Sequence, residues 1–338
     1  MVLSEKNSKN RTLDDKLVSI TAPAYNEAKC LGELCVRIQE SVEKITDNYE
    51  IVIVDNDSGD GSLSLLRQLG ADNPRIKYVR LSRNFGHQGG IIAGMEHCAG
   101  DIIITMDADL QHPPEVIPSL LHEWCLGYNV VGTKKKKSNK TSALRHLFNR
   151  TCYKGLGFLI GFPLSSHQSD FRLLDRSAMM ALLSLPEKEK FLRGLAHWIG
   201  FTQTSVEYEV SPRFSGKTKI SVLSELSFAI NGMVSFSILP LRFLSIFGIV
   251  VAFGAFMGAI ITLFGWLFGI YETPPPGWLT IAIGVYFIGG VQLIGMGFLG
   301  EYLAQTLKET RRRPSFIAVE STTQKTDAQV HKEFTPTR

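Results

Sequence analysis

Thr105-Met-Asp-Ala-Asp-Leu-Gln111 decides the fold. It follows the apolar run Asp101-Ile-Ile-Ile-Thr105 and sets two carboxylates one residue apart. A buried strand ending in Asp-x-Asp delivers hard oxygen ligands to the edge of a sheet, which a Mg²⁺ or Mn²⁺ ion needs if it is also to hold a diphosphate. Solvated acidic turns share this spacing, so the reading depends on the neighbours.

Working outward, strand and helix alternate. Leu17-Val-Ser-Ile-Thr21 reads as a strand, followed by Ala22-Pro-Ala-Tyr-Asn-Glu27 and a helix near 28–45. Tyr49-Glu-Ile-Val-Ile-Val54 is a second strand, running into Asp55-Asn-Asp-Ser-Gly-Asp-Gly61 and a helix near 62–71. Residues 76–81 form a third strand, followed by Ser82-Arg-Asn-Phe-Gly86 and a helix near 87–98; residues 101–106 form the fourth. Four such βα units predict an α/β, Rossmann-like parallel sheet with its site along the C-terminal strand edge. Asp55, Asp57, Asp60, Asp107 and Asp109 are expected to gather there, where like charges need a cation or ligand hydrogen-bond donors.

The chain holds 338 residues with a formal net charge of +4 and 44% hydrophobic residues, but these averages conceal a division. Residues 17–219 read as a charged catalytic domain behind a polar, flexible terminus (1–16) without a signal sequence. Between Arg242 and Glu301 the only charge is Glu272. Residues 243–270 and 278–300 are uncharged and each exceeds the roughly 20 residues that cross a bilayer, with a proline turn, Tyr271-Glu-Thr-Pro-Pro-Pro-Gly277, between them. This predicts a C-terminal two-helix transmembrane hairpin within 241–303. Residues 220–240 have helical apolar spacing, which fits either an interfacial helix or one packed on the soluble domain. Arg242, Lys308 and Arg311-Arg-Arg313 flank the hairpin, so the positive-inside rule places the catalytic domain, the polar tail (304–338) and both termini in the cytoplasm. Glycines at 254, 258, 289, 290, 295 and 297 allow close helix contact and suggest a homo-oligomer. Five scattered cysteines without paired spacing suggest reduced thiols. No nucleic-acid partner is expected, since no basic face carries interleaved aromatics.

Six motifs in order carry a resemblance. They are Ala-Pro-Ala-Tyr-Asn-Glu (22–27), Val-Asp-Asn-Asp-Ser-Gly-Asp-Gly (54–61), Ser-Arg-Asn-Phe-Gly (82–86), Asp-Ala-Asp-Leu-Gln (107–111), Ser-Asp-Phe-Arg-Leu-Leu-Asp-Arg (169–176) and Arg-Phe-Ser-Gly-Lys-Thr-Lys (213–219). Together with the paired spans, the set resembles family 2 glycosyltransferases of the polyprenyl-phosphate group, over residues 17–303. The resemblance implies a GT-A fold and a membrane-bound inverting glycosyltransferase of the cell membrane. It would move one sugar from a nucleotide-sugar donor, UDP- or GDP-linked, to polyprenyl phosphate.

Residue by residue, it implies that Pro23, Tyr25 and Glu27 line the nucleoside pocket and that Asp55 binds base or ribose. Asp107 and Asp109, with Ala108 between them and Gln111 beyond, would hold Mg²⁺ or Mn²⁺ on the diphosphate, where the ion neutralises charge as the nucleotide leaves. Lys134 stands where relatives carry an arginine, and Arg213 and Lys219 match cations near the donor and acceptor phosphates. One departure is visible: relatives read Asp-Asp-Gly-Ser where this chain has Asp55-Asn56-Asp57-Ser58. An aspartate at 57 can still turn tightly, because Asp tolerates left-handed conformations.

Asp170 completes the catalytic set with Arg213, Lys217 and Lys219. A lipid phosphate is already largely ionised at neutral pH, its second pKa lying near 6, so it needs cations rather than a general base. Asp170 then orients a cation or steadies charge developing on the sugar; a structural salt bridge with Arg172 or Arg176 is the alternative. Two rival functions are a processive polysaccharide synthase and an inactive membrane scaffold on the same fold. The first usually carries Gln-x-x-Arg-Trp and more spans, and the sequence shows neither.

Overall fold

The computed structural model describes residues 11–136, 168–187, 190–209, 239–268, 277–311 and 313–323. They fall into two units. In the first, β1 (Val18–Ala24), β2 (Tyr49–Asp55), β3 (Ile76–Leu81) and β4 (Ile102–Thr105) run parallel, connected through α1 (Ala28–Val42), α2 (Ser62–Asp72) and α3 (Gly86–His97). Then come α4 (Ile117–Cys125), β5 (Val130–Lys135), β6 (Gln168–Asp175), α5 (Arg176–Ser184), α6 (Leu192–Trp198) and β7 (Gln203–Tyr208). β8 (Ala318–Ser321) returns to the same sheet, whose described order is β7-β5-β6-β4-β1-β2-β3-β8.

The sheet is mixed rather than wholly parallel. β6 runs antiparallel between β4 and β5, and β8 antiparallel on β3. β1 continues past the predicted end at Thr21, through Pro23 to Ala24. β4 pairs with β1 only as far as Thr21, so the missing N–H of Pro23 costs no ladder bond on that side.

β1, β2 and β4 are buried almost throughout, as strands covered on both faces must be. α1 turns Leu31, Leu34, Ile38 and Val42 onto the sheet. Each contributes about 1.5–3 kcal/mol by leaving water. α3 lies closer still. A side chain at Gly90 would meet Pro23 Cβ at 2.6 Å, and one at Gly94 would collide with Thr21 Oγ1. Those glycines bring the start of α3 down over the C-terminal end of β1, beside the Asp-x-Asp turn.

Four described cysteines are free thiols. Burial pushes Cys35 up to about 12, which leaves it unreactive.

The second unit comprises α7 (Leu239–Leu267) and α8 (Trp278–Thr310). Among the described residues one stretch, Phe287–Thr310, is long and apolar enough to cross a membrane, and Ile246–Gly258 is a shorter apolar stretch. Both predicted helices are present, but only one of them qualifies as a span. The segment 220–238 and most of the proline turn (271–276) lie outside the described residues.

Candidate functional site

A cleft of about 340 Å³ opens at the C-terminal edge of the parallel strands. Pro23, Tyr25 and Glu27 line it from the end of β1, Asn84 and His87 from the start of α3, and Asp107, Ala108 and Asp109 from the turn after β4. Six of the residues expected at the nucleotide and metal are among them; Asp55 and Gln111 do not line the cleft, and Asn84 and His87 line it without having been assigned a role. Tyr25 is 50% exposed and open to a ligand.

Local hydrogen bonds shape the rim. Asn26, at φ 58°, accepts from the N–H of Gly59, while its own N–H donates to Ser58 Oγ. Asp57 takes φ 64°, the left-handed turn expected of it. Asn56 is buried and spans two backbone groups: its Oδ1 accepts from Phe85 N–H at 2.9 Å and its Nδ2 donates to Gly86 O at 3.0 Å. The side chain that departs from the relatives' motif therefore clamps the Ser82–Gly86 loop.

The five acids do not all gather at the cleft. Asp60 accepts from the N–H groups of Ala28 and Ser62. Burial pushes its pKa up, but the bonds from Ser62 and Ala28 outweigh it and leave the pKa lowered. Asp57 lies 3.7 Å from Arg80. Asp60 serves its loop, because a short Asp side chain satisfies nearby backbone donors before it reaches a ligand, and Asp57 faces a cation of β3. Asp55 is fully buried; one oxygen accepts from Ser58 N–H and the other, Oδ2, has no hydrogen-bond partner among the described residues.

The Asp-x-Asp turn is held from below. Leu110 adopts φ 61°, unusual for a bulky residue, and its side chain is buried in the core. Asp109 Oδ1 accepts from Gln111 N–H. His112 Nδ1 accepts from Asp107 N–H at 3.0 Å, and its Nε2 lies 2.6 Å from Ser169 Oγ. An accepting Nδ1 fixes the neutral tautomer with the proton on Nε2. Burial above all holds the pKa of His112 below its ordinary value, in agreement with that tautomer. His112 thereby ties the turn to β6, which carries Asp170.

Asp107 Oδ1 is buried without a hydrogen-bond partner among the described residues, 3.4 Å from His87 Nε2. No cluster of three His, Cys, Asp or Glu groups forms a metal cage among those residues. Mg²⁺ needs no such cage, since one or two carboxylates plus phosphate oxygens and water complete its shell. The orphaned Asp107 oxygen and neighbouring Asp109 fit that role.

Asp170 is 4% exposed and surrounded by cations. Arg193 donates Nε to Oδ1 at 3.0 Å and Nη2 to Oδ2 at 2.8 Å, and Arg172 Nη2 donates to Oδ1 at 3.3 Å. His87 Nε2 lies 3.5 Å from Oδ2. Burial acts to raise the Asp170 pKa, but hydrogen bonds from His87 and Arg193 and the arginine charges hold it far below the usual carboxylate range. Of the two expected partners Arg172 is present; Arg176 instead donates to Cys98 O and Gly100 O. The principal partner, Arg193, lies 23 residues along the chain, and no spacing signalled it.

Lys134 does not line the cleft; it faces a second cavity. Arg213, Lys217 and Lys219 lie outside the described residues. Trp198, at the end of α6, is 63% exposed.

The glycosyl transferase family 2 model matches residues 19–183, from β1 through the cleft and Asp170 into α5. Over 308 residues the chain is 34% identical to the uncharacterized glycosyltransferase sll0501 of Synechocystis, covering 89% of this chain and 94% of that protein. This chain belongs to glycosyl transferase family 2. It is also 32% identical to the prophage bactoprenol glucosyl transferase homolog of Escherichia coli K12, over 89% of this chain and 97% of that protein. A glucosyl-3-phosphoglycerate synthase from Mycobacterium tuberculosis, solved with phosphoglyceric acid, covers 67% of this chain and 81% of its own, at 18% identity and a TM-score of 0.47. By its family the chain is a glycosyltransferase, built on an α/β domain with a mixed sheet.

Proposed function

We propose that this family 2 enzyme transfers a single sugar from a nucleotide-sugar to polyprenyl phosphate at a membrane, with inversion at the anomeric carbon. The observation that carries it is the state of Asp170. Its oxygens are engaged by Arg193, Arg172 and His87, and it stays ionised. A carboxylate so placed is poorly suited to take a proton from an alcohol. An acceptor that arrives as an oxyanion needs no such base, and polyprenyl phosphate is one. The Escherichia coli relative, whose name specifies bactoprenol, supports that acceptor class.

In this reading the cleft holds the nucleotide between Tyr25 and the Asp-x-Asp turn; Asp55, buried behind the cleft with an Oδ2 that has no hydrogen-bond partner among the described residues, is the acceptor for a base or ribose donor. Asp107 and Asp109, with Gln111, hold Mg²⁺ or Mn²⁺, which screens the diphosphate as it leaves. Arg213, Lys217 and Lys219 guide the acceptor phosphate. α7 and α8 form the two-span hairpin: both expose large apolar side chains, among them Phe253 at 64% and Leu293 at 71%, that water would not favour and lipid would. Close helix contacts through their glycines make a homo-oligomer.

The pH dependence of transfer to polyprenyl phosphate tests the role of Asp170. Asp170→Asn should slow turnover yet leave the low-pH limb near the acceptor's second ionisation, about pH 6. A limb that disappears in the variant assigns the general base to Asp170 and favours a hydroxyl acceptor.

A further inference from the structure

His87 stands between the two acidic positions of the site. Its Nε2 lies 3.4 Å from Asp107 Oδ1, in the turn after β4, and 3.5 Å from Asp170 Oδ2, on β6. A ring nitrogen that faces two ionised carboxylates carries the proton itself, because those oxygens only accept. One N–H cannot serve both at full strength, and both distances exceed the roughly 2.7–2.9 Å of a charge-assisted bond. The side chain is 45% exposed and lines the cleft, which leaves the ring room to turn toward either oxygen.

The backbone beneath the ring is fixed. Gly86, at φ 78°, takes a left-handed conformation that favours glycine. Its N–H donates to Asn84 Oδ1 at 2.8 Å, and its carbonyl accepts from Asn56 Nδ2 at 3.0 Å. Nε2 therefore shifts by rotation of the side chain alone. The two oxygens it faces are held differently. Asp170 Oδ2 already accepts from Arg193 Nη2 at 2.8 Å. Asp107 Oδ1 has no hydrogen-bond partner among the described residues. His112, 3.4 Å from the other Asp107 oxygen, turns an accepting Nδ1 that way and offers that carboxylate no proton.

We propose that His87 is a positioning residue that passes from Asp107 to Asp170 when the divalent ion binds. The inference rests on the assignment of Asp107 and Asp109 to that ion. In the empty site the Nε2–H faces the orphaned Asp107 oxygen and so competes with an ion for it. The competition has one sign whatever the charge on the ring: a neutral ring occupies a lone pair, and a charged one also repels the ion. With Asp107 committed to the metal, the N–H is left to Asp170. Oδ2 of Asp170 thus gains its second full donor only when the metal side is loaded, and the orientation of this carboxylate is tied to the state of the Asp-x-Asp turn.

The test replaces His87 by leucine, which removes the donor and leaves the Gly86 backbone and Asn84 in place. Free Mn²⁺ is measured by electron paramagnetic resonance as the ion is titrated into the full-length protein in detergent, with UDP or GDP and no lipid. His87→Leu should bind Mn²⁺ about threefold more tightly, the scale of a half-exposed charge contact. It should also lower kcat for transfer about tenfold, the loss of one bond to a charged group. A side chain that merely supports the structure would weaken both. His87→Gln keeps a donor close to the Nε2 position and should return both values toward wild type. In an Asp170→Asn background, His87→Leu should still tighten Mn²⁺ but lower kcat no further. Mn²⁺ binding that weakens or stays unchanged in His87→Leu, or a kcat that His87→Gln does not recover, overturns the proposal. Wild-type protein that binds no Mn²⁺ would instead overturn the metal assignment itself, and the proposal with it.

Discussion

Asn56→Asp is an almost isosteric change with an unequal effect on two bonds. The bond from Phe85 N–H to Oδ1, 2.9 Å long, survives and gains charge. The bond from Nδ2 to Gly86 O, 3.0 Å long, is replaced by two oxygens facing each other in a buried site. An unsatisfied buried acceptor costs about 1–3 kcal/mol, and a charge beside it adds to that. Strengthening the Phe85 bond returns roughly 1 kcal/mol, which leaves a net loss of about 1–3 kcal/mol. The loop it releases leads directly to His87, so nucleotide binding should weaken by about tenfold, the equivalent of 1.4 kcal/mol. The pH signature is specific. Once protonated, the introduced carboxyl donates to Gly86 O again, and this neutral-form bond raises its pKa. The defect should therefore be full at high pH and shrink as pH falls through that raised value. Nucleotide affinity by titration calorimetry, with the thermal midpoint at several pH values, measures both. Unchanged affinity, or a defect that deepens on acidification, refutes the reasoning.

Asp109→Ala should abolish transfer while the protein stays folded and membrane-bound; normal turnover in that variant removes the metal-site assignment. Gly94→Ala places a methyl against Thr21, and overpacking of that kind should cost about 1–3 kcal/mol, read as a lowered thermal midpoint. A midpoint within error of wild type would mean that α3 can shift freely off β1. A reporter fused near residue 274 should lie outside the cytoplasm; finding it inside overturns the proposed two-span topology.

The parallel half of the sheet was legible because each strand is a short apolar run ended by polar residues, and the observed strands lie within a few residues of those runs. The later strands were not, because β6 and β7 carry Asp170, Arg172 and Glu207 among their apolar residues and break the simple pattern. β8 gives no signal of its own: it pairs antiparallel with β3, and Glu320 adds bonds from Tyr78 of β3 and Arg67 of α2. At the site, ligand-facing residues after strands could be read from local spacing. Arg193 could not, since its role depends on α6 folding back over β6. Asn56 was visible as a departure, but its partners in the third loop follow only from tertiary structure. His112 had a usable cue, standing directly behind Asp107-Ala-Asp-Leu-Gln111.

The most direct test supplies the purified enzyme in detergent with polyprenyl phosphate and a panel of UDP- and GDP-sugars, with Mg²⁺ or Mn²⁺ and with EDTA, and reads the lipid product by mass. The account predicts a polyprenyl-phosphate monosaccharide from one donor, formed with metal and lost in EDTA. A polymer, or no lipid-linked sugar from any donor with folded protein, would contradict it.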